Sequence, residues 1–345
     1  MRTSRRSPTI KDVAAEAGTA VGTVSRVLNR APGVTEASRT AVLAAVAKLG
    51  YELNIAAQSM RTRSKKAVGF MVTDISNPLF GQISRSAETV LAEHGYSLVL
   101  ANTDDRINRE IELLQQFFRL RTDGVLLSLS DETNPDLLRA LGRLDIPAVL
   151  LDREPADLAV DRVMTDHASG MRQATRYLLG LGHRRIALIG ADARLSAGRA
   201  RVSGWREAHT EAGLSPDPAL LRLQNLKESF GYQETFSLLS PSAERPTAII
   251  AGGNRILIGV LRALRQMRIS VPADLSLISC DDTDVAELAQ PPITVIWRDA
   301  AAIGRSSAEI LMGRLAAGNA EAREPRSIIL PTELLVRESC APPAT

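Results

Sequence analysis

Aromatic residues make up only 3% of the 345-residue chain, and cysteine is limited to Cys280 and Cys340. Two thiols so far apart offer neither a disulfide framework nor the paired spacing of a zinc site, which fits a reducing cytoplasm. No run of about 18 apolar residues occurs, so no membrane-spanning helix and no membrane partner is expected. Arginines stand at positions 2, 5 and 6, but no apolar stretch follows them, and no secretory signal is read. There is no Walker loop, no Gly-x-Ser-x-Gly elbow, no dinucleotide Gly-x-Gly-x-x-Gly and no cluster of metal ligands. These absences leave no catalytic residue, cofactor or metal to assign, and no enzyme is expected. Asp281 and Asp282 would be a carboxylate pair, but neighbours at a strand end point to opposite sides.

Charge, by contrast, is present and unevenly spread. Residues 1–66 carry twelve Lys and Arg against four Asp and Glu, a net +8, whereas the remainder carries −5. A basic head on an acidic body points to a polyanionic partner for the head alone. Within it, Thr9 to Asn29 reads TIKDVAAEAGTAVGTVSRVLN. Ile10, Val13, Ala14 and Ala17, then Val24, Val27 and Leu28, recur at helical spacing. Thr9 and Asp12 have the spacing of a capping box, and Gly18 sits where the first helix must end. A third helix is read from Arg39 to Leu49, closed by Gly50. Helix, tight turn, helix is an arrangement that can lay its second helix in a DNA major groove.

From Ala67 the texture changes. Short apolar runs (Val68–Val72, Ser97–Ala101, Gly124–Leu127, Ala148–Leu151, Ile186–Ile189, Ala248–Ala251, Leu275–Ser279 and Thr294–Ile296) alternate with amphipathic helical stretches, from Pro78–Glu93 to Ala300–Leu315. This alternation predicts parallel sheets covered on both faces, in two doubly wound lobes with a cleft between them. The tail has no heptad leucine repeat, so no tetramer-forming coiled coil is expected.

The strings Thr9-Ile10-Lys11-Asp12-Val13-Ala14, Gly18 and Thr23-Val24-Ser25-Arg26-Val27-Leu28-Asn29 resemble the headpiece of the LacI/GalR family of bacterial transcription regulators. The resemblance extends along nearly the whole chain. It implies an all-α helix-turn-helix headpiece and hinge, then a two-lobed α/β effector domain similar to periplasmic binding proteins. The implied segments are a headpiece at 1–52, a hinge at 53–66, an N-lobe from 67–165 plus about 290–325, and a C-lobe from 166–289 plus about 326–340. The implied activity is sequence-specific DNA binding by a transcription regulator, most often a repressor, under control of a small-molecule effector, a sugar, sugar acid or sugar phosphate, bound between the two lobes. A homodimer on a pseudo-palindromic double-stranded operator is implied with it. The alternative reading is a solute-binding protein of a transport system, against which the basic head and the missing export signal argue.

Matched residue by residue, the resemblance puts Val21, Gly22 and Arg26 at base edges. Arg26 suits a bidentate contact to guanine. Thr9, Thr23, Ser25 and Asn29 are placed at phosphates. Ala57 and Met60 fall in the hinge, Met60 as an apolar wedge in the minor groove. Leu53 stands where the family usually has proline, and Ala20 where it has an N-capping serine.

The implied effector ligands are Asn77, Phe80, Asp104, Arg153, Asp166, Arg201, Asn254, Asp281 and Arg298. Arg201 has five rigid donors for oxygen pairs. Asn254 replaces a usual acid, Arg298 a usual glutamine, and Leu226 a usual aromatic. These changes favour an acidic effector, such as a sugar acid or a sugar phosphate, over a neutral sugar. His183, without a catalytic partner nearby in sequence, is read as structural.

Overall fold

Val13, Ala14, Val24, Val27, Val42 and Ala45 are buried against one another, and three short helices close around this apolar knot. They are α1 (Ile10–Glu16), α2 (Val21–Leu28) and α3 (Glu36–Leu49). The computed structural model describes residues 8–28, 31–51, 65–240, 244–317 and 324–343. The expected contacts Asn29, Ala57 and Met60, and with the latter two most of the hinge, lie outside the described residues.

The Thr9 amide and hydroxyl both donate to Asp12 Oδ2 at 2.7 Å, which fastens the start of α1. The turn after α1 passes through Gly18 at φ +60°, and α3 ends at Gly50, also at φ +60°, a conformation that costs glycine little. α3 begins earlier than the periodicity indicates, because the Thr35 hydroxyl accepts from the Ser38 amide at 3.3 Å. Lys48 of α3 reaches Glu16 of α1 at 2.6 Å.

The chain divides into two compact units, Met1–Lys65 and Lys66–Thr345. In the second, β1 (Ala67–Val72), β2 (Ser97–Asn102), β3 (Gly124–Leu127), β4 (Ala148–Leu151) and β5 (Asp161–Thr165) alternate with α4 (Pro78–Glu93), α5 (Ile107–Leu120) and α6 (Pro135–Gly142). Then β6 (Ile186–Ala191), β7 (Leu221–Gln224), β8 (Ala248–Ala251), β9 (Ser276–Cys280) and β10 (Thr294–Arg298) alternate with α7 (His167–Gly180), α8 (Ser196–Glu211), α9 (Glu228–Leu238), α10 (Asn254–Met267) and α11 (Asp284–Leu288). The chain finishes with α12 (Ala300–Ala317), β11 (Ser327–Leu330) and β12 (Thr332–Leu335).

Two six-stranded sheets result, in the orders β11-β5-β4-β3-β1-β2 and β12-β10-β9-β8-β6-β7. All pairings are parallel except β10 with β12. The doubly wound, two-lobed fold is the one expected.

The return to the first lobe falls elsewhere than the expected residue 290. Val295 and Ile296 are buried in the second core and pair β10 with β9, so the chain crosses only after Arg298. The segment expected to rejoin the second lobe from 326 instead adds β11 to the first sheet, with Ile328 and Leu330 packed on its core. A single residue, Pro331, then carries the chain back to β12.

Paired helices cover the faces, α4 with α12, α7 with α8 and α9 with α10. Glycines permit their closest approaches. A Cβ on Gly204 of α8 would lie 2.1 Å from the Ala168 carbonyl oxygen of α7. Gly204→Ala should therefore push α7 and α8 apart and cost about 1–3 kcal/mol, read as a lower unfolding midpoint in denaturant; an unchanged midpoint would show that the contact relaxes freely.

Candidate functional site

On α2, Val24, Ser25 and Val27 are buried, whereas Val21, Gly22 and Arg26 are exposed together. Helical periodicity produces this split, and it turns the three expected base readers away from the apolar knot. Glu16 and Glu36 are engaged by Lys48 and Arg39, and among the described residues Arg26 makes no ion pair. Thr23 is half-buried at the helix margin. Ser25 lies beside Val24 and is only 9% exposed. Thr9 carries its capping bonds on the same unit.

In the second unit, the strand ends of both lobes converge on a cleft holding a cavity of about 270 Å³. Parallel strands aim their C-terminal loops at such a crevice. Of the expected effector residues, Asn77, Phe80, Arg153, Arg201, Asn254, Asp281 and Arg298 line it. Asp104 and Asp166 do not. Asp104 pairs with Arg106 at 3.1 Å, and its neighbour Asp105 faces the cleft. Asp166 caps α7 by accepting from the Ser169 amide at 3.0 Å, and His167 faces the cleft in its place. Phe80 serves two purposes, since it is 8% exposed, packed in the first-lobe core, and still part of the cleft wall.

A buried polar chain crosses the floor. Asp152 and Asp281 directly follow β4 and β9, at φ +51° and +69°, left-handed positions that aspartate tolerates better than most residues. Arg298, at the end of β10, donates from Nε to Asp281 Oδ1 at 2.6 Å and from Nη1 to Asp152 Oδ2. Asp152 Oδ1 also accepts from the Thr165 amide at 2.8 Å. His167 Nε2 lies 3.4 Å from Asp152 Oδ2, and its Nδ1 lies 3.4 Å from Arg201 Nη2.

Burial pushes the Asp152 carboxyl up, but His167 and Arg298 outweigh it and hold it well below the usual carboxylate range. At Asp281, burial is likewise outweighed, by Arg298 and Arg201. Burial, with Arg201 adding to it, brings His167 down to about 4, so its imidazole is neutral near pH 7.

Arg298 is therefore no free cation, as the sequence suggested; its charge is answered from both lobes. Six carboxylates and six Lys or Arg side chains line the cleft in balance. Arg201 stands apart. It is 5% exposed, makes no ion pair among the described residues, and its Nε has no hydrogen-bond partner. On the cleft's flank, Asn254 Nδ2 of lobe two donates to Asn77 Oδ1 of lobe one at 2.7 Å. His183, read as structural, bonds Thr247 Oγ1 at 2.8 Å and the Ala341 carbonyl at 2.9 Å, tying down the tail.

Sequence reasoning passed over Asp105 and His167. Only the strand-end position of the first could have marked it.

Residues 9–54 match the bacterial regulatory proteins of the lacI family, and residues 175–340 match a periplasmic binding protein-like domain. A transcriptional regulator of Clostridium saccharobutylicum, RegA, is 33% identical over 96% of this chain and 98% of its own length. The chain belongs to the lacI family of bacterial regulatory proteins. The ribose operon repressor of Escherichia coli is 33% identical over 89% of the chain and 93% of its own. Among solved structures, a complex of the transcriptional regulator CelR with cellobiose superposes with a TM-score of 0.71 at 33% identity, covering 96% of this chain and 99% of the other. This lacI-family member is a DNA-binding transcriptional regulator, and the alternative of a transport solute-binding protein gives way. Its relatives are regulators, not enzymes. No described helix is long and apolar enough to cross a membrane.

The depressed pKa of His167 has a consequence for stability. Unfolded, the ring takes a proton near pH 6.5, whereas folded it resists until about 4. Its contribution is complete above pH 6.5 and is lost as acidity carries the solution down to about 4. His167→Asn should flatten the stability–pH curve over that window by at most about 3 kcal/mol. Denaturant titrations at stepped pH check this, and parallel curves for both proteins would contradict a neutral buried ring.

Proposed function

We propose that two headpieces of a homodimer grip a pseudo-palindromic operator, with Arg26 reading a guanine, Val21 and Gly22 beside it at base edges, and Thr23 and Thr9 at phosphates. The joint exposure of Val21, Gly22 and Arg26 on α2 supports the assignment. Dimerisation finds support in the edge strand β2, where Val99 and Leu100 are 37% and 39% exposed. The protein acts by binding, without catalysis, and represses transcription of its target genes.

The effector is a small neutral sugar held between the lobes by Asn77, Phe80, Arg153, Arg201, Asn254 and Asp281, with Asp105 and His167 taking the places expected of Asp104 and Asp166. The observation that carries this is Arg201, a buried guanidinium that lines the cleft, makes no ion pair among the described residues and has an unpartnered Nε. A neutral ligand is favoured over an acid because the lining charges already balance. The ribose operon repressor and the cellobiose-bound regulator among the relatives agree with a sugar. Effector control requires unequal affinity for two states of the protein, so the sugar must prefer one arrangement of the lobes.

Selection from a random duplex library, then titration of matched and mismatched duplexes, tests the DNA half. Arg26→Ala should lose about 1–3 kcal/mol of discrimination at one half-site position and keep salt-sensitive non-specific binding; an unaltered base preference would remove Arg26 from its role. Calorimetry with ribose, cellobiose and the corresponding aldonic acids tests the effector half. A neutral sugar should bind, with Arg201→Ala weakening it by about 1.5–3 kcal/mol. Tighter binding of an acid would reverse the reading.

A further inference from the structure

Two carboxylates of the first lobe are held by side chains of the second. Glu132 follows β3, and its side chain is fully enclosed. Its Oε1 accepts from Arg199 Nη2 of α8 at 2.5 Å, and its Oε2 accepts from the Ser196 hydroxyl at 3.1 Å and from the Glu154 amide at 2.9 Å. The Glu132 amide reaches the Arg194 carbonyl at 3.4 Å, a further bond between lobes. The Ser196 hydroxyl also lies 3.1 Å from the Asp152 carbonyl, and beside it the Asp152 carboxylate accepts from Arg298, which Asp281 steadies from its own lobe. Asp152 and Arg298 line the cavity, whereas Glu132 and Arg199 lie outside its lining.

We propose that Glu132–Arg199 and Asp152–Arg298 are a pair of built-in latches that close the lobes without help from a ligand. Every partner in both bridges belongs to the chain, so the closing attraction needs no ligand. A carboxylate that stays enclosed without its cation is costly, so in the closed arrangement each bridge resists the loss of either partner. Closure and opening thus form a two-state element that the protein itself biases. An effector then acts by altering that bias. This inference goes beyond the assignment of a sugar and does not depend on which molecule fills the cleft.

Hydrogen exchange of the full-length protein, with no ligand added, tests it. Glu132→Gln keeps the shape and removes the charge; Arg298→Gln does the same on the floor. Each should raise exchange in residues 129–133, 152–154 and 192–198 by at least about tenfold, with the β1 and β9 amides unchanged. The radius of gyration from X-ray scattering should increase as well. Arg199→Lys should preserve protection, whereas Arg199→Glu should abolish it. Arg199 is partly exposed, so its variants carry the test should Arg298→Gln fail to fold. Wild-type exchange and an unchanged radius in Glu132→Gln and Arg199→Glu would overturn the proposal. So would an increase spread evenly through β1 and β9, since the bonds would then hold only the fold.

Discussion

The carboxylate of Asp152 is the first-lobe member of a buried polar chain whose other side chains, Arg298, His167, Arg201 and Asp281, follow the crossing into the second. A charge so enclosed persists only because cations and donors surround it; alone it would cost several kcal/mol. Asp152 therefore makes the relative placement of the lobes a matter of electrostatics as well as packing. Small changes at the cleft can bear on a large rigid-body relation because one residue belongs to both problems.

The headpiece is organised by an unrelated principle. Its apolar knot is small, and local devices do the rest: a shared carboxylate at Thr9, left-handed glycines at 18 and 50, and an ion pair from Lys48 to Glu16. Helical periodicity then divides α2 into a face committed to stability and a face left for recognition. Valine and glycine on the latter contribute shape and access, which places the greater part of direct sequence reading on one arginine.

Most of the fold was legible because buried parallel strands declare themselves as apolar runs. Ala148–Leu151 and Ala248–Ala251 were read to the residue. The strands passed over, β5, β7, β11 and β12, share a different texture, with charged or polar residues such as Arg162, Arg222 and Glu333 interleaved near sheet margins. The cleft was less legible for a geometrical reason. Asp104 and Asp105 are adjacent in sequence, as are Asp166 and His167, and a single turn of backbone decides which neighbour faces inward. Arg298 was misread as a spare cation because its partners, Asp152 and Asp281, are remote along the chain and adjacent only after both sheets form. The burial of Ser25 was hidden by its polar identity.

The three passages of the backbone between lobes impose an order on synthesis. The first sheet is missing its edge strand until Leu330 has been made, and the helix α12 that shields Leu126 and Val149 is also late. The headpiece closes through short-range contacts and can be finished while the ribosome is still occupied with the body. Neither lobe is one uninterrupted stretch of chain, and a nascent chain halted between 166 and 299 would leave part of the first sheet's apolar face without α12, the kind of surface that chaperones recognise.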